Sequence, residues 1–290
     1  MDWKECVQRM INYIEEHLQD DLSLNSVAVQ VGYSPYYCSK AFRREVGICF
    51  KDYLRLRRIS QAALEIRDSD RRILDIAVEY GYGSQEAFTR SFIDAFDTTP
   101  GAYRRVAMPI PLFLRRNINH QHNGKGVDLG MQKKLMQNVK VSFLRKPARK
   151  MIVWHQEGAT DYHELCAMEG AERIWGTLES FKGTIGGVIA AWINDQGKSK
   201  YVWGVEMPAD YCGPVPEGFE CYFAEECNYV KFSHPDDEQS HEAVTEAVWN
   251  VSETWDPKEY GWEWNDAANP VYEDDREDEG YMVLKPIKRV

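Results

Sequence analysis

The sequence lacks the patterns that mark membrane, secreted and zinc-binding proteins. No apolar run in its 290 residues approaches the roughly 18 that a membrane-spanning helix needs. Its first residues carry neither the basic stretch nor the apolar segment of a secretory signal. The seven cysteines are scattered without a CxxC pair, which predicts reduced thiols. We therefore expect a cytoplasmic protein with no membrane partner, no bound metal and no other cofactor.

Charge is distributed very unevenly along the chain, although the total is −11. Lys and Arg minus Asp and Glu gives −1 for residues 1–107, +9 for 108–150 and −19 for 151–290. Such asymmetry indicates regions with different partners, so the overall acidity does not exclude nucleic acid.

Residues 1–107 contain one short pattern twice, about 50 residues apart. Each copy has a helix, a glycine turn, a serine that can cap the next helix, and a phenylalanine eight residues beyond that serine. The serines are Ser34 and Ser84. A longer helix near residues 50–67 separates the copies. This predicts an all-α domain with two helix-turn-helix units.

The second helix of such a unit lies in the major groove of DNA, with its first residues at the base edges. We therefore expect base contacts from Tyr36, Ser39, Lys40 and Arg43 in the first unit and from Gln85, Glu86, Thr89 and Arg90 in the second. Arg90 can pair with guanine, Gln85 with adenine, and Glu86 can accept a hydrogen bond from cytosine. A plain helical bundle with solvated charges is the alternative, which the duplicated pattern disfavours.

Residues 108–137 read as a basic linker, because Pro109 and Pro111 cannot continue a helix and a polar, glycine-containing stretch follows. Its close histidine pair, His120 and His122, is expected to be solvated. The basic residues could contact DNA phosphates or simply face solvent.

The first domain resembles the AraC/XylS family of DNA-binding domains. The residues that carry the resemblance are Leu22, Ala28, Gly32, Tyr33, Ser34, Pro35, Phe42, Gly47, Phe50, Tyr53, Leu54, Arg57, Ala63, Ile73, Ile76, Ala77, Gly81, Tyr82, Ser84, Phe88, Arg90, Phe92, Phe96, Thr99, Pro100, Tyr103 and Arg104. The resemblance implies a bacterial transcription regulator that binds double-stranded promoter DNA, with RNA polymerase as an expected partner. Asp97 stands where the family usually has glycine.

Residues 138–290 predict an α+β domain with a mostly antiparallel sheet. We expect a strand pair around Pro147 and helices near 161–181 and 238–252. Further strands are expected near 187–193, 201–207, 219–224, 228–233 and 281–287.

This second domain resembles the GyrI-like effector-binding domain that follows the DNA-binding domain in Rob-like regulators. Four stretches carry the resemblance: 201–206, 216–220, 229–232 and 283–288. It implies a duplicated strand-helix-strand-strand arrangement around a cleft for amphipathic, often cationic, small molecules.

Aromatic rings and carboxylates suit a lipophilic cation, through cation–π attraction and charge. The candidate effector-binding residues are Trp192, Trp203, Glu206, Tyr229, Trp264 and Glu273. On a regular strand Trp203 and Glu206 point to opposite faces, so they share a pocket only if a bulge intervenes. Ordinary core filling is the alternative for each tryptophan.

Three functions compete for this domain: small-molecule sensing, binding of a protein partner, and hydrolysis, since some GyrI-like domains are hydrolases. No nucleophile motif such as GxSxG is found, and the fusion to a DNA-binding domain favours sensing. We expect the ligand to shift domain orientation or recruit polymerase, and a fragment ending near residue 107 to bind DNA.

Overall fold

The computed structural model describes residues 3–118, 129–195, 197–235, 241–276 and 279–290. The chain divides into two compact units, residues 1–121 with 180–182, and residues 122–179 with 183–290. Within the described ranges no helix has both the length and the apolar character to cross a bilayer. The histidine pair His120 and His122 lies outside the described residues.

The first unit is helical. Its described elements are α1 (Trp3–Glu16), α2 (Leu24–Val31), α3 (Pro35–Val46), α4 (Phe50–Asp68), α5 (Ile73–Glu79), α6 (Gln85–Phe96) and α7 (Pro100–Val106). Helices α2 and α3 form the first predicted helix-turn-helix, and α5 and α6 form the second.

Helix α4 joins two separate hydrophobic cores. Its first half contributes Phe50, Tyr53 and Leu54 to a core with α1, α2 and α3. Its second half contributes Ile59, Ala62, Ala63 and Ile66 to a core with α5, α6 and α7. At 19 residues the helix is about 28 Å long. The predicted bridging helix is therefore confirmed, and each recognition unit has its own core.

Left-handed residues end the helices where the turns require them. Gly32 closes α2 with φ +80°, a conformation that glycine adopts without a Cβ clash. Asp97 does the same for α6 with φ +55°. Aspartate tolerates this region better than most residues because its short side chain can hydrogen-bond locally. The departure noted at Asp97 therefore leaves the turn intact.

The linker predicted over residues 108–137 is ordered against helices at its start. Ile110 and Leu112 are buried in the second core, and Phe113 packs on the first. The Phe113 N–H donates to Ser60 Oγ at 2.9 Å, and its carbonyl accepts from Arg57. We call residues 109–118 the strap. The prolines do exclude helix here, but the apolar residues that alternate with them favour packing over solvation.

The second unit contains α8 (Leu129–Asn138), α9 (Tyr162–Cys166), α10 (Ala171–Glu179) and α11 (His241–Thr254). The described strands are β1 (Lys140–Lys146), β2 (Arg149–Trp154), β3 (Val188–Asp195), β4 (Lys198–Pro208), β5 (Glu220–Ala224), β6 (Cys227–His234), β7 (Trp262–Trp264), β8 (Val271–Arg276) and β9 (Gly280–Arg289). Helix α8 begins inside the predicted linker and ends one residue beyond it, which is a second correction to that segment. Leu135 anchors it in a core with α11.

The strands form one antiparallel sheet in the order β1-β6-β9-β8-β3-β4-β2-β5, with β7 paired to β9. Strand β2, helices α9 and α10, β3 and β4 make one strand-helix-strand-strand repeat. Strand β6, helix α11, β8 and β9 make the other, and β3 pairs with β8 where the repeats meet. The expected duplicated α+β architecture is thus present.

Local details differ from the expectations. Strands β1 and β2 flank Pro147 but do not pair with each other, because β1 pairs with β6 while β2 lies between β4 and β5. The helix expected near 161–181 is two helices, with the left-handed Gly170 between them. Strand β7 was not predicted, and β8 was anticipated only through Glu273.

The two faces of the sheet carry different layers. One face, which we call the inner face, carries a hydrophobic core of strand residues such as Met151, Ala191, Val202 and Tyr272. On the other face, Val230, Phe232 and Val283 pack against α8 and α11. We call this the helix face, and it holds the cleft described below.

Candidate DNA-binding surface and ligand-binding cleft

Helix α3 presents a polar face to solvent. Ser34 precedes it, and its hydroxyl accepts from the Tyr37 N–H at 3.5 Å, while Pro35 occupies the first helical position. The exposed residues are Tyr36, Ser39, Lys40 and Arg43, whereas Cys38, Ala41 and Phe42 are buried. Lys40 Nζ lies 4.7 Å from the centre of the Tyr36 ring. Ring and cation therefore stand together at the start of the helix.

Helix α6 repeats this arrangement. The Ser84 hydroxyl accepts from the Ala87 N–H at 3.2 Å. Gln85, Glu86 and Arg90 are exposed and Thr89 is half-buried. The pKa of Glu86 lies below its usual value, because the carboxylate accepts hydrogen bonds from its own N–H and from Ser84. Glu86 therefore stays anionic at the positive end of its helix.

A basic groove of about 520 Å³ lies within the helical unit, between the first recognition helix and the second glycine turn. Ser39, Lys51, Arg55 and Arg58 are among its lining residues. The Arg58 guanidinium donates to the carbonyls of Leu18 and Asp20, whereas Lys51 and Arg55 are exposed. Exposed cations beside a recognition helix suit contacts to DNA phosphates.

The second unit contains a cleft of about 550 Å³ on the helix face of its sheet. This is the usual size of a small-molecule site. Its lining residues come from both repeats and are Asp161, Tyr162, His163, Trp192, Thr245, Trp249, Val271, Glu273 and Lys285.

Two half-buried carboxylates line this cleft, Asp161 and Glu273, and Glu273 is the one held by tyrosines. One of its oxygens accepts from the Tyr201 hydroxyl, and the other accepts from the Tyr281 hydroxyl at 2.8 Å. Among the described residues no basic side chain forms an ion pair with it. Burial raises the pKa of Glu273 above its usual value, although both tyrosine hydrogen bonds oppose that shift. Asp161 and His163 also act on Glu273, with opposite signs. A cation in the cleft would therefore meet a carboxylate that is not ion-paired among the described residues.

Tryptophan rings form the wall beside Glu273. The Trp192 ring lies 4.8 Å from the Tyr201 ring and 5.3 Å from the Trp249 ring, edge to face in the second case. Trp192 Nε1 donates to the Thr160 carbonyl, and Trp249 Nε1 donates to the Tyr281 hydroxyl at 2.9 Å. Because their polar edges are already bonded, the rings can offer their faces to an apolar or cationic group.

Lys285 lines another part of the cleft. Its Nζ donates to the Ser252 carbonyl at 3.1 Å and lies 5.5 Å from the ring centres of both Trp249 and Trp264. Burial lowers the pKa of Lys285, which Glu253 and Asp266 partly offset. The cleft thus contains charges of both signs.

Comparison with known proteins identifies the helical unit. A family described as a helix-turn-helix domain matches residues 27–106. The regulatory protein SoxS of Escherichia coli K12 is 40% identical over 104 residues, which cover 36% of this chain and 97% of SoxS. The chain belongs to the AraC-type family of helix-turn-helix transcriptional regulators.

Other relatives match this AraC-type regulator over a similar length. YbfP of Bacillus subtilis is 40% identical over 104 residues, covering 36% of this chain and 35% of YbfP. The right origin-binding protein of Escherichia coli K12 is 39% identical over 105 residues, covering 36% of each chain. The match therefore spans about a third of the length of these two relatives.

Among solved structures, SAV2435 bound to tetraphenylphosphonium covers 51% of this AraC-type regulator and 94% of its own chain, at 11% identity and a TM-score of 0.36.

The predicted DNA-binding residues all lie on α3 and α6 of this AraC-type regulator. Seven of the eight are exposed, and Thr89 is half-buried. Their inward neighbours, Phe42 and Phe88, are fully buried as expected. Contact with bases stays a prediction.

Two of the six predicted effector residues, Trp192 and Glu273, line the cleft. Trp203 does not. It lies on the face of β4 that carries Tyr201, as its position predicts, but its ring is covered by Trp175 at 5.1 Å and Tyr162 at 5.7 Å. Trp264 is also absent from the lining, because it lies on β7 and packs against Trp255 at 5.6 Å.

Glu206 and Tyr229 do not line the cleft either, and for the same reason: both side chains point to the inner face of the sheet. Glu206 accepts from Arg149 Nε at 2.5 Å and from Lys146 at 2.6 Å. Tyr229 accepts from Arg149 Nη2 at 3.0 Å. Strand β4 has no bulge that would turn Glu206 towards the cleft, since its register with β2 is continuous from Trp203 to Pro208.

The sequence reasoning missed Trp249, Tyr162 and Lys285. Trp249 falls in the predicted helix near 238–252, and Lys285 falls in the predicted last strand, but neither carries a pattern that distinguishes it from a surface residue. Only the approach of α9 and α11 to β3, β8 and β9 brings these side chains together.

Proposed function

We propose that this AraC-type regulator reads promoter DNA with α3 and α6, and that its second unit binds an amphipathic, cationic small molecule in the cleft. It would act in the cytoplasm, where bacterial promoters are found, and RNA polymerase is the proposed protein partner.

The observation that supports base reading is that both recognition helices have the same arrangement of cap, buried side chains and exposed side chains. Each recognition helix begins at a serine cap, buries its phenylalanines and leaves hydrogen-bonding side chains outside. One continuous helix, α4, is about 28 Å long and connects the two helix-turn-helix units. This length suits recognition of successive major-groove segments roughly 34 Å apart.

The test is selection of bound sequences from a random duplex library with the full chain. We expect the selected sequences to share two conserved segments about one helical turn apart. Selected sequences with no preferred base at any position would contradict base reading. Lys40→Ala or Arg90→Ala should weaken binding to the selected site by about 1–3 kcal/mol. Lys198→Ala, which removes an exposed charge from the second unit, is the matched control. Equal losses on all sequences would reassign either residue to phosphate contact.

The observation that supports ligand binding is Glu273, a carboxylate whose hydrogen bonds within the described ranges come from tyrosine hydroxyls, in a cleft walled by tryptophans. A lipophilic cation would supply the missing positive charge and cover the apolar rings. Removing such a carboxylate from water with no cation to compensate is unfavourable, so the site gains when one binds.

The test is tryptophan fluorescence of the full chain, titrated with benzyltriethylammonium, with a neutral analogue of the same shape and with an anionic one. Eight of the nine tryptophans lie in residues 151–290, so the signal reports on the second unit. We expect saturable quenching by the cation and none by the neutral analogue. Equal responses to all three would argue against charge recognition.

Two other functions were open at the outset. Hydrolysis is disfavoured, because both oxygens of Glu273 accept hydrogen bonds from tyrosine hydroxyl groups. Protein binding has one supporting feature: edge strand β1, which exposes 42% of Val141 and 52% of Phe143. This alternative would be favoured if the second unit bound none of the small molecules tested but did bind a protein partner.

A further inference from the structure

The cleft is lined by the ammonium group of Lys285 and the carboxylate of Glu273, together with Asp161 and His163. The hydrogen-bond partners found for Lys285 and Glu273 among the described residues are neutral. Glu273 accepts from two tyrosine hydroxyls, while Lys285 donates to a backbone carbonyl and lies near two indole rings. Among the described residues neither forms an ion pair, with each other or with any other side chain.

The register of the sheet explains how the two charges share one cleft without meeting. Glu273 is opposite Val283, and Tyr272 is opposite Leu284, so Lys285 lies one diagonal step from Glu273 on the same face. Diagonal neighbours on adjacent strands have Cα atoms roughly 7–8 Å apart. A lysine could cover that distance, but Nζ is directed to the Ser252 carbonyl instead.

Two opposite charges that are withdrawn from water and left apart form a site for a molecule with the complementary pair. A ligand cation at Glu273 satisfies one charge only. It leaves the Lys285 ammonium half-buried against Trp249, where Glu253 and Asp266 act on it but no carboxylate is ion-paired with it among the described residues.

We infer that the cleft selects a zwitterionic amphipathic molecule, whose cationic group lies against Glu273 and whose anionic group lies against Lys285. The aromatic body between the two charges would contact Trp192 and Trp249. This inference rests on the proposed ligand-binding function and narrows its ligand class from cations to zwitterions.

The experiment is calorimetric titration of the full chain with three naphthalene probes. The first is 2-naphthylmethyl-trimethylammonium, the second carries an added sulfonate at carbon 6, and the third is 2-naphthalenesulfonate. We expect the zwitterion to bind at least about tenfold more tightly than the cation, as a charge-assisted hydrogen bond to Lys285 would provide.

Variants of Lys285 assign that preference to its charge. Lys285→Gln should abolish the advantage of the zwitterion, measured as the ratio of the dissociation constants of cation and zwitterion for the same variant. Lys285→Arg should keep the advantage, which guards against a variant that merely folds poorly. Lys288→Gln, at an exposed position of the same strand, is the matched control.

The possible results distinguish failure of the zwitterion inference from failure of the proposed ligand-binding function. A cation that binds as tightly as the zwitterion would overturn the zwitterion inference and still support a cation site. Absence of binding by all three probes would overturn both. A preference for the zwitterion that survives Lys285→Gln would also overturn the assignment to this lysine.

Discussion

Glu206 and Glu273 lie on opposite faces of the same sheet, and each is withdrawn from water by its neighbours. On the inner face Glu206 is 2% exposed and ion-paired with Arg149 and Lys146. On the helix face Glu273 accepts hydrogen bonds from two tyrosines, has no ion-pair partner in the part of the chain that the structure describes, and borders a cleft. Both groups are carboxylates, so the difference between their roles follows from the residues that surround each of them.

The pKa values of the two carboxyl groups express this contrast. Burial alone would raise both. For Glu206 the charges of Lys146 and Arg149 outweigh burial and hold the pKa below its usual value. For Glu273 burial prevails and the pKa is raised. A carboxylate with its cations supplied is part of the scaffold, whereas one without them has capacity for a ligand.

The largest expected effect is on the inner face. Glu206→Gln leaves the fully buried Arg149 without a counter-charge, and breaking a buried pair in this way costs about 3–5 kcal/mol. Urea unfolding of the variant measures the loss. Glu263→Gln, which breaks the exposed pair with Lys288, should cost about 1 kcal/mol or less. Similar losses for both would show that the Arg149 network contributes nothing special.

The next effect is on the helix face and concerns binding. Glu273→Gln removes the charge but keeps the shape, and should weaken binding of benzyltriethylammonium by roughly 10-fold to 100-fold. Calorimetric titration gives the ratio of dissociation constants. Affinity that is unchanged in this variant would remove Glu273 from the site and erase the contrast with Glu206.

A smaller effect is the pH dependence of that binding. The empty site has a raised Glu273 pKa, and a bound cation lowers it, so binding releases a proton. Affinity should therefore fall as pH drops through the raised pKa, by up to about tenfold per pH unit, and be level above it. Titrations across pH 4–8 test this on the wild-type chain, and the slope should vanish in Glu273→Gln.

The smallest effect is on the stability of the empty protein. Because the folded-state pKa of Glu273 is raised, this group favours folding below its unfolded pKa and loses that contribution as pH rises through the folded value. Glu206 behaves oppositely, since its pKa is lowered. Relative to wild type, Glu273→Gln should thus gain stability with rising pH and Glu206→Gln should lose it. Unfolding curves at pH 3, pH 4.5 and pH 7 compare the signs, because the Glu206 contribution changes below its unfolded pKa and that of Glu273 changes above its own.

Much of this contrast could be predicted from strand parity. Trp203 and Glu206 are three residues apart, so a regular strand places them on opposite faces, and it does. The helix-turn-helix units were equally predictable, because serine caps and glycine turns are local signals.

The rest depends on contacts between distant parts of the chain. Nothing local shows that β1 pairs with β6 and not with its neighbour β2, or that Phe113 packs on the first helical core. The cleft is non-local in the same way. Trp192 and Trp249 are 57 positions apart, and only the meeting of the two repeats brings their rings to 5.3 Å.

The strap changes where a DNA-binding fragment should end. A fragment that ends near residue 107 lacks Ile110 and Leu112 of the second core and Phe113 on the first. A fragment that ends at residue 118 keeps them, together with the Ile118 N–H that donates to Gln8 at 2.7 Å.

The junction between β3 and β8 is short, with only Ala190, Ala191 and Trp192 paired to Val271, Tyr272 and Glu273. Every other ladder among the described repeat strands is longer. The ladder between the repeats therefore includes three residues that line the cleft, Trp192, Val271 and Glu273. A ligand in the cleft would contact the sheet where the fewest backbone pairs join the two repeats.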